Sequence, residues 1–309
     1  MRFISTKRFH ANTHHRVAER RVYLHIIRFL LRDIFMQKRS YTTGIEISDR
    51  QWKRLASLLP EPPRSDKGGQ VPAPNRACLE GLLWLLRSGA RYKDIPKHFP
   101  SGSTCWRRLK WWHEQGALLA AWQGILGMLD AKGRLKLEEF FADGSFSPAK
   151  KKGHRGRQNE AGQGDESNGF ERWSWYAVAV LTETASMHEV KLIEPLIKRV
   201  RIPRRGRGRG RPKKRVKRLI YDKAADSDPL RKRLKTRRIE LITPHRRGRR
   251  KPSIQDGRKL RRYRRQWKIE RTMAWIQNYR RLVVRYDRKI EMFNAFLQLG
   301  CTIISINKL

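Results

Sequence analysis

Hydrophobic residues recur at helical spacing in the first half of the chain. Trp52, Leu55 and Leu59 follow residues 48–51, where Ser48 and Gln51 are spaced as a capping box. This pattern predicts a helix that starts at Ser48 and stops at Pro60. The same spacing predicts three more short helices, at residues 76–88, 92–99 and 103–115, separated by Gly89 and by residues 100–102, with Ser103 as the cap of the last one.

From residue 133 onward, short apolar runs typical of β-strands replace this spacing. Strands are predicted at residues 137–143, 218–222 and 239–244, and a strand or hairpin at 173–182. Asp226 and Asp228 are expected to cap a helix that runs to about residue 237. Strands and a helix thus alternate as in an α/β fold, and further helices are predicted at 256–281 and 290–306.

The charge balance narrows the function. The chain has 72 Lys and Arg but only 28 Asp and Glu, a formal net charge of +44. A charge of this size favours a polyanionic partner and argues against an ordinary enzyme of small acidic metabolites. Two runs concentrate the cations: a basic loop at 150–157, and residues 199–218 with twelve Lys or Arg and no acid. Nucleic acid is the expected partner.

The predicted helix at 103–115 places basic residues among tryptophans. Arg107, Arg108 and Lys110 lie beside Trp106 and Trp111. A short helix, a tight turn and a basic second helix are typical of a helix-turn-helix, whose second helix enters the DNA major groove. An ordinary helical bundle with a solvated basic face remains the alternative.

The cysteines and the apolar stretches point to a reducing, non-membrane environment. Cys78, Cys105 and Cys301 are widely spaced and form no Cys-x-x-Cys pair. His98 and His113 flank Cys105, but their spacing matches no common zinc pattern. The apolar stretch at 22–35 is interrupted by charges, so no membrane span is expected.

Three carboxylates stand out in a chain with so few acids. Asp143 and Asp222 end predicted strands, and Glu270 lies on a helix between Trp267 and Trp275. Three convergent carboxylates would suit a pair of Mg²⁺ ions. Taken singly, they could instead be a turn residue, a strand-end residue and a partner in a helical ion pair.

Three segments resemble the DDE transposases of small bacterial insertion sequences. They are residues 141–146 (FADGSF), 219–231 (LIYDKAADSDPLR) and 267–286 (WKIERTMAWIQNYRRLVVRY). The resemblance is to the insertion sequence five family, four/five-like group, and runs from about residue 46 to the C-terminus. It implies a ribonuclease H-like catalytic domain with a mixed sheet at 135–309, including the basic insertion 199–218. A helical, helix-turn-helix-like DNA-binding domain is expected at 45–130. Residues 1–44 would be a basic extension, either a disordered arm or sequence upstream of a start such as Met36.

The resemblance also implies roles for individual residues. Asp143, Asp222 and Glu270 would be the catalytic, metal-binding triad for Mg²⁺ or Mn²⁺. We expect DNA contacts from Arg107, Arg108, Lys110, Lys150, Lys151, Lys152, Tyr263, Arg271, Arg280 and Arg281. The expected substrates are the element ends and the target, both double-stranded DNA. A homo-oligomer is expected on the DNA, in the bacterial cytoplasm and associated with the nucleoid.

Departures from the family pattern leave alternatives open. Ala225 stands where a Tyr is usual, and Gln266 and Gln277 replace basic residues of a related signature. Residues 162–176 carry three acids, at Asp165, Glu166 and Glu171, where the family has small and basic residues. The alternatives are a noncatalytic basic nucleic-acid-binding protein, an inactive transposase copy, and a metal nuclease that cuts without joining.

Overall fold

The computed structural model describes residues 47–63, 68, 70–135, 137–143, 147, 178–182, 189–204, 212, 216–254 and 257–309. Residues 47–309 form one compact unit. No helix among the described residues is both long enough and apolar enough to cross a membrane.

The first helix, α1 (Asp49–Ala56), begins as the sequence predicts. The Ser48 hydroxyl accepts from the backbone N–H of Gln51 at 3.3 Å, and Gln51 Oε1 accepts from the backbone N–H of Ser48 at 3.0 Å. This reciprocal pair confirms the capping box. The helix ends at Ala56, before Pro60.

Three longer helices follow: α2 (Asn75–Ser88), α3 (Gly102–Glu114) and α4 (Ala117–Ala131). α2 ends at Gly89, whose φ of 68° is the left-handed conformation that glycine adopts without strain. The predicted cap of α3 is wrong by two residues. Ser101, not Ser103, accepts from the backbone N–H of Thr104, at 3.2 Å.

The predicted helix at 92–99 is wrong. Only a 3₁₀ turn, Tyr92–Asp94, forms there. Pro96 has no backbone N–H and disfavours helical geometry at the preceding residue, which accounts for the early end. The turn packs against the start of α3, where Gly102 lies so close to the Tyr92 carbonyl that a side chain would clash.

The described strands form a parallel sheet in the order β1 (Glu139–Phe141), β2 (Arg218–Ile220), β3 (Glu240–Ile242). Phe141 pairs with Ile220, and Ile220 pairs with Ile242. A 3₁₀ turn (Lys223–Ala225) and a helix on the return path, α6 (Asp228–Thr236), connect β2 to β3. The mixed character expected for the sheet does not extend to these strands. Residues 178–182 of the predicted strand 173–182 pair with none of the described strands, and 173–177 lie outside the described residues.

Helix α5 (Glu189–Arg199), which the sequence reading missed, precedes β2 and contains Pro195. The single helix predicted at 256–281 is wrong. It is divided into α7 (Gly257–Leu260), a 3₁₀ turn (Tyr263–Arg265), α8 (Trp267–Gln277) and the start of α9 (Arg280–Val283).

The last helix, α10 (Ile290–Ile306), has the predicted bounds. It packs on α4 and α3, and most of its residues are buried, including Phe296 at its centre. The helices before residue 130 therefore share a core with the C-terminal helix. The functional division at about residue 130 remains a prediction.

Candidate active site

Asp143 and Asp222 lie just beyond the carboxyl ends of neighbouring strands. β1 and β2 pair Phe141 with Ile220, and the backbone N–H of Ala142 donates to the Ile220 carbonyl at 3.0 Å. Each aspartate lies two residues beyond its member of this pair. Paired strands are about 4.8 Å apart, so the two aspartates start from neighbouring positions at one sheet edge.

The helix that carries the third carboxylate packs on this edge through an apolar cluster. The cluster joins the three strand ends to α8 and consists of Phe141, Ile220, Ile242, Ile269 and Met273. Residues two positions apart in a strand point to the same face. Asp143 and Asp222 therefore lie on the face that Phe141 and Ile220 contribute to the cluster. Glu270 directly follows Ile269, which places the first turn of α8 over the same edge.

Tyr263 is affected electrostatically by all three carboxylates. Its ring packs on the apolar cluster and is partly buried. Burial is the main cause that raises the pKa of the Tyr263 hydroxyl, and the charges of Asp222, Glu270 and Asp143 raise it further. All three carboxylates therefore lie near one phenol, which keeps its proton well above neutral pH.

Asp222 is held by contacts on both of its polar groups. Its Oδ1 accepts from the backbone N–H of Ala224 at 2.9 Å, and its backbone carbonyl accepts from the hydroxyl of the fully buried Thr243. The turn after β2 is thereby fixed to the end of β3.

Glu139 was missed by the sequence reading. Its side chain is 12% exposed, and its carboxylate pairs with Arg262 and, at 2.6 Å, with Arg265. These arginines lie in the segment that leads into α8, so the pairs tie that segment to β1. Sequence spacing gives no signal for a pairing between residues 126 positions apart.

Asp226 and Asp228 do not cap α6 as expected. Ser227 is the cap, and its hydroxyl accepts from the backbone N–H of Leu230 at 3.4 Å. Asp226 is 3% exposed and pairs with Arg231 at 2.7 Å. Burial alone would raise the pKa of Asp226, but hydrogen bonds from the Arg246 backbone, Arg231 and His245 outweigh burial and lower it to about 2.

The carboxylate chemistry fits a divalent metal, because Mg²⁺ and Mn²⁺ prefer oxygen ligands. Asp143, Asp222 and Glu270 supply such oxygens, and the charges of all three raise the pKa of Tyr263. Within the described part of the chain, however, no three His, Cys, Asp or Glu side chains are close enough to hold a metal ion together. The three carboxylates thus share a neighbourhood without forming a closed ligand set.

The basic helix α3 divides into an exposed and a buried part. Arg107 is exposed. Lys110 is half-exposed, pairs with Glu114 at 3.3 Å and lies 5.8 Å from the centre of the Trp106 ring. Arg108 departs from the prediction, because it is only 6% exposed and bonds to Asn75 and, at 2.8 Å, to the Ala73 carbonyl. Its guanidinium holds α3 against the start of α2 and is not available to phosphate.

The predicted contacts in α8 and α9 divide in the same way. Arg280 is exposed, and Arg271 lies over the rings of Trp267 and Trp275, at 5.0 and 5.2 Å from their centres. Arg281 departs from the prediction, because it is 4% exposed and donates to the Ala90 carbonyl at 2.7 Å and to Asp287 at 3.0 Å. It therefore joins the end of α2 to the segment before α10. Lys150, Lys151, Lys152 and residues 162–176 lie outside the described residues.

Comparison with known protein families gives two matches along the chain. A family model described as "Transposase DDE domain" matches residues 137–305, more than half of the chain and all three carboxylates. The chain belongs to the DDE transposase family. A second model, described as "Putative transposase of IS4/5 family", matches residues 47–122. The predicted family is confirmed, and with it the reading of the chain as an insertion-sequence transposase.

Curated relatives of this DDE transposase are also insertion-sequence proteins. An "Insertion element IS402 uncharacterized 16.2 kDa protein" of Burkholderia cepacia is 37% identical over 103 residues, 32% of this chain and 70% of the relative. A "Putative transposase for insertion sequence element IS402" from the same organism is 36% identical over 132 residues, 43% of this chain and 58% of the relative. The chain thus spans little more than half of that transposase. No solved structure matches the chain.

Proposed function

We propose that the chain binds the ends of its insertion sequence and catalyses metal-dependent cleavage and strand transfer, with Asp143, Asp222 and Glu270 as the catalytic carboxylates. One observation carries this proposal. The first two carboxylates follow paired positions of neighbouring parallel strands, and an apolar cluster packs the helix that carries Glu270 against the strand ends. Carboxylates on adjacent strands and on a helix packed over them are the arrangement expected of a ribonuclease H-like domain, which we propose for this part of the chain.

The three carboxylates would hold Mg²⁺ or Mn²⁺. When bound, two such ions activate the attacking oxygen and stabilise the leaving oxygen of the phosphodiester. The chain's own part is to position groups and neutralise charge, and it forms no covalent intermediate with DNA. Asp222 is aimed by its bonds to Ala224 and Thr243. The Tyr263 hydroxyl keeps its proton and can donate a hydrogen bond to a phosphate oxygen.

DNA binding would rest mainly on phosphate neutralisation. The net charge of +44 exceeds what base recognition requires. Of the described residues expected to contact DNA, Arg107, Lys110, Tyr263, Arg271 and Arg280 remain candidates, whereas Arg108 and Arg281 are engaged inside the protein. We assign sequence discrimination to the exposed side of α3. Lys150, Lys151 and Lys152 stay predicted contacts.

The place of action and the assembly follow from this substrate. A transposase that acts on chromosomal DNA would work in the bacterial cytoplasm, and its charge favours association with the nucleoid. Joining two element ends to one target requires that both ends be held together, so we propose a homo-oligomer on DNA. Both assignments depend on the same DNA substrate as the catalytic proposal.

A strand-transfer reaction separates this function from its rivals. The full chain is incubated with labelled duplex that carries the element's terminal repeat, with plasmid target, and with Mg²⁺ or EDTA. We expect a Mg²⁺-dependent nick at the repeat end and joining of that end to the plasmid. Binding with neither product would support a noncatalytic protein or an inactive copy. Nicks without joining would support a nuclease.

A further inference from the structure

A short basic loop follows β3 at the same sheet edge as the candidate active site. Residues 244–251 contain five Lys or Arg and one His. We propose that this loop is a second DNA-phosphate site, preformed beside the catalytic carboxylates, and that it contacts the backbone next to the bond to be cut. The inference rests on the proposed function, because it places DNA at this edge.

Buried Asp226 anchors the beginning of the loop. Its carboxylate accepts from the backbone N–H of Arg246 at 2.8 Å and contacts His245 Nδ1 at 3.0 Å. Arg231 of α6 supplies a third contact, at 2.7 Å. A buried carboxylate that accepts several charge-assisted hydrogen bonds fixes its partners strongly, so the loop leaves the sheet in one orientation.

The middle of the loop is fastened to the segment after Asp222. Arg246 donates to the carbonyls of Lys223 and Ala224 at 3.2 and 2.7 Å. Arg249 forms two bonds to Asp228, at 2.9 and 3.1 Å. The loop therefore packs against the 3₁₀ turn that follows Asp222.

These anchors leave a surplus of positive charge facing solvent. Asp226 and Asp228 are opposed by six Lys or Arg, namely Arg231, Arg246, Arg247, Arg249, Arg250 and Lys251. The anchoring contacts engage Arg231, Arg246 and Arg249, and Lys251 lies 4.0 Å from Asp228, whereas Arg247 and Arg250 are exposed. Cations held on a preorganised loop lose less conformational entropy when they bind than cations on a mobile tail.

Position distinguishes this loop from the other basic surfaces. It leaves β3 directly after Thr243, whose hydroxyl bonds to the Asp222 backbone. The parallel order of β2 and β3 requires α6 to run back toward the opposite edge of the sheet. Lys232 and Lys235 are exposed on α6 and supply cations away from the candidate site.

The test compares two double variants of the full chain that remove equal charge. R247A/R250A alters the loop, and K232A/K235A alters α6. Binding to a labelled duplex of random sequence is measured by fluorescence anisotropy over a salt series in EDTA, and a thermal melt confirms that each variant is folded. We expect R247A/R250A to make the slope of log K against log salt shallower by about 2, because each lost phosphate contact removes about 0.9. K232A/K235A should leave the slope unchanged, and R247K/R250K should retain it.

An unchanged slope for R247A/R250A, or an equal change for both alanine variants, would overturn the inference. A parallel nicking assay of the wild-type chain with Mg²⁺ reports on the proposed function separately. Because the anisotropy measurement needs no metal and no cleavage, failure of the loop proposal and failure of the catalytic proposal give different results.

Discussion

Replacing Asp226 with Asn tests how much its buried carboxylate, which lies beside the candidate site, contributes to the free energy of unfolding. The carboxylate is 3% exposed and faces Arg231 at 2.7 Å, His245 at 3.0 Å and Arg249 at 3.8 Å. It also accepts from the backbone of Arg246 at 2.8 Å. Asp226→Asn keeps the size of the side chain and removes its charge, so Arg231 and Arg249 then face a neutral amide.

The magnitude follows from the pKa of Asp226. Its folded-state pKa is lowered from 3.8 to about 2, and this shift is equivalent to about 2 kcal/mol of folding free energy. The partly buried arginines that lose their partner add to the loss, so we expect Asp226→Asn to reduce the free energy of unfolding by about 2–4 kcal/mol at neutral pH. Because the folded pKa is lowered, the contribution is present above pH 4 and is lost as the pH falls toward 2. At pH 3 about half of it should be gone.

The assay is urea unfolding at neutral pH and at pH 3, with Asp49→Asn as the matched control. Asp49 also pairs with an arginine, Arg76 at 2.6 Å, but its side chain is 91% exposed. Exposed pairs contribute little, so the control should lose less than about 0.5 kcal/mol. The reasoning fails if Asp226→Asn costs no more than Asp49→Asn, or if the difference between wild type and Asp226→Asn does not shrink in acid.

Three further predictions concern DNA binding and the buried arginines. If about eight phosphates are contacted, the wild-type slope of log K against log salt should be near −7, and a slope near −2 would contradict phosphate-dominated binding. Arg107→Ala should reduce the preference for element ends over random DNA by about 1–3 kcal/mol in competition binding, whereas equal losses on both DNAs would assign Arg107 to the backbone. Arg281→Met leaves Asp287 buried without its partner and should cost about 3 kcal/mol in urea unfolding, against less than about 0.5 for the exposed Arg280→Met, and similar costs would refute the buried pair.

Local patterns in the sequence were sufficient to predict two helix ends and the strands that precede the two aspartates. The capping box at Ser48, the glycine after α2 and the apolar runs that end at Asp143 and Asp222 each predict a feature that the structure contains. These signals work because hydrogen bonding at a helix end and alternation along a strand depend on residues a few positions apart. The convergence of both aspartates at one edge follows from parallel pairing.

Long-range partners could not be predicted. Arg108 and Arg281 appeared as DNA contacts because a sequence shows that a residue is basic and not whether it is buried. One partner of each lies far away in sequence: Asn75 for Arg108 and the Ala90 carbonyl for Arg281. The pairs of Glu139 with Arg262 and Arg265 were missed for the same reason. In a sequence with so many cations, the pattern alone does not distinguish arginines that stabilise the fold from arginines that contact DNA.

The most direct test of the central claim is Mg²⁺-dependent nicking of a supercoiled plasmid that carries the element ends. It compares the wild-type chain with Asp143→Asn, Asp222→Asn and Glu270→Gln. The matched control is Glu240→Gln, at the opposite end of β3, where the carboxylate pairs with Lys259 at 2.8 Å and Arg218 at 3.3 Å.

The account predicts that each of the three variants loses nicking while DNA affinity is kept or increased, because a negative charge near the phosphate is removed and the metal is no longer held. The control should nick like the wild type. Wild-type nicking by any one of the three variants would remove that residue from the proposed triad and contradict the account.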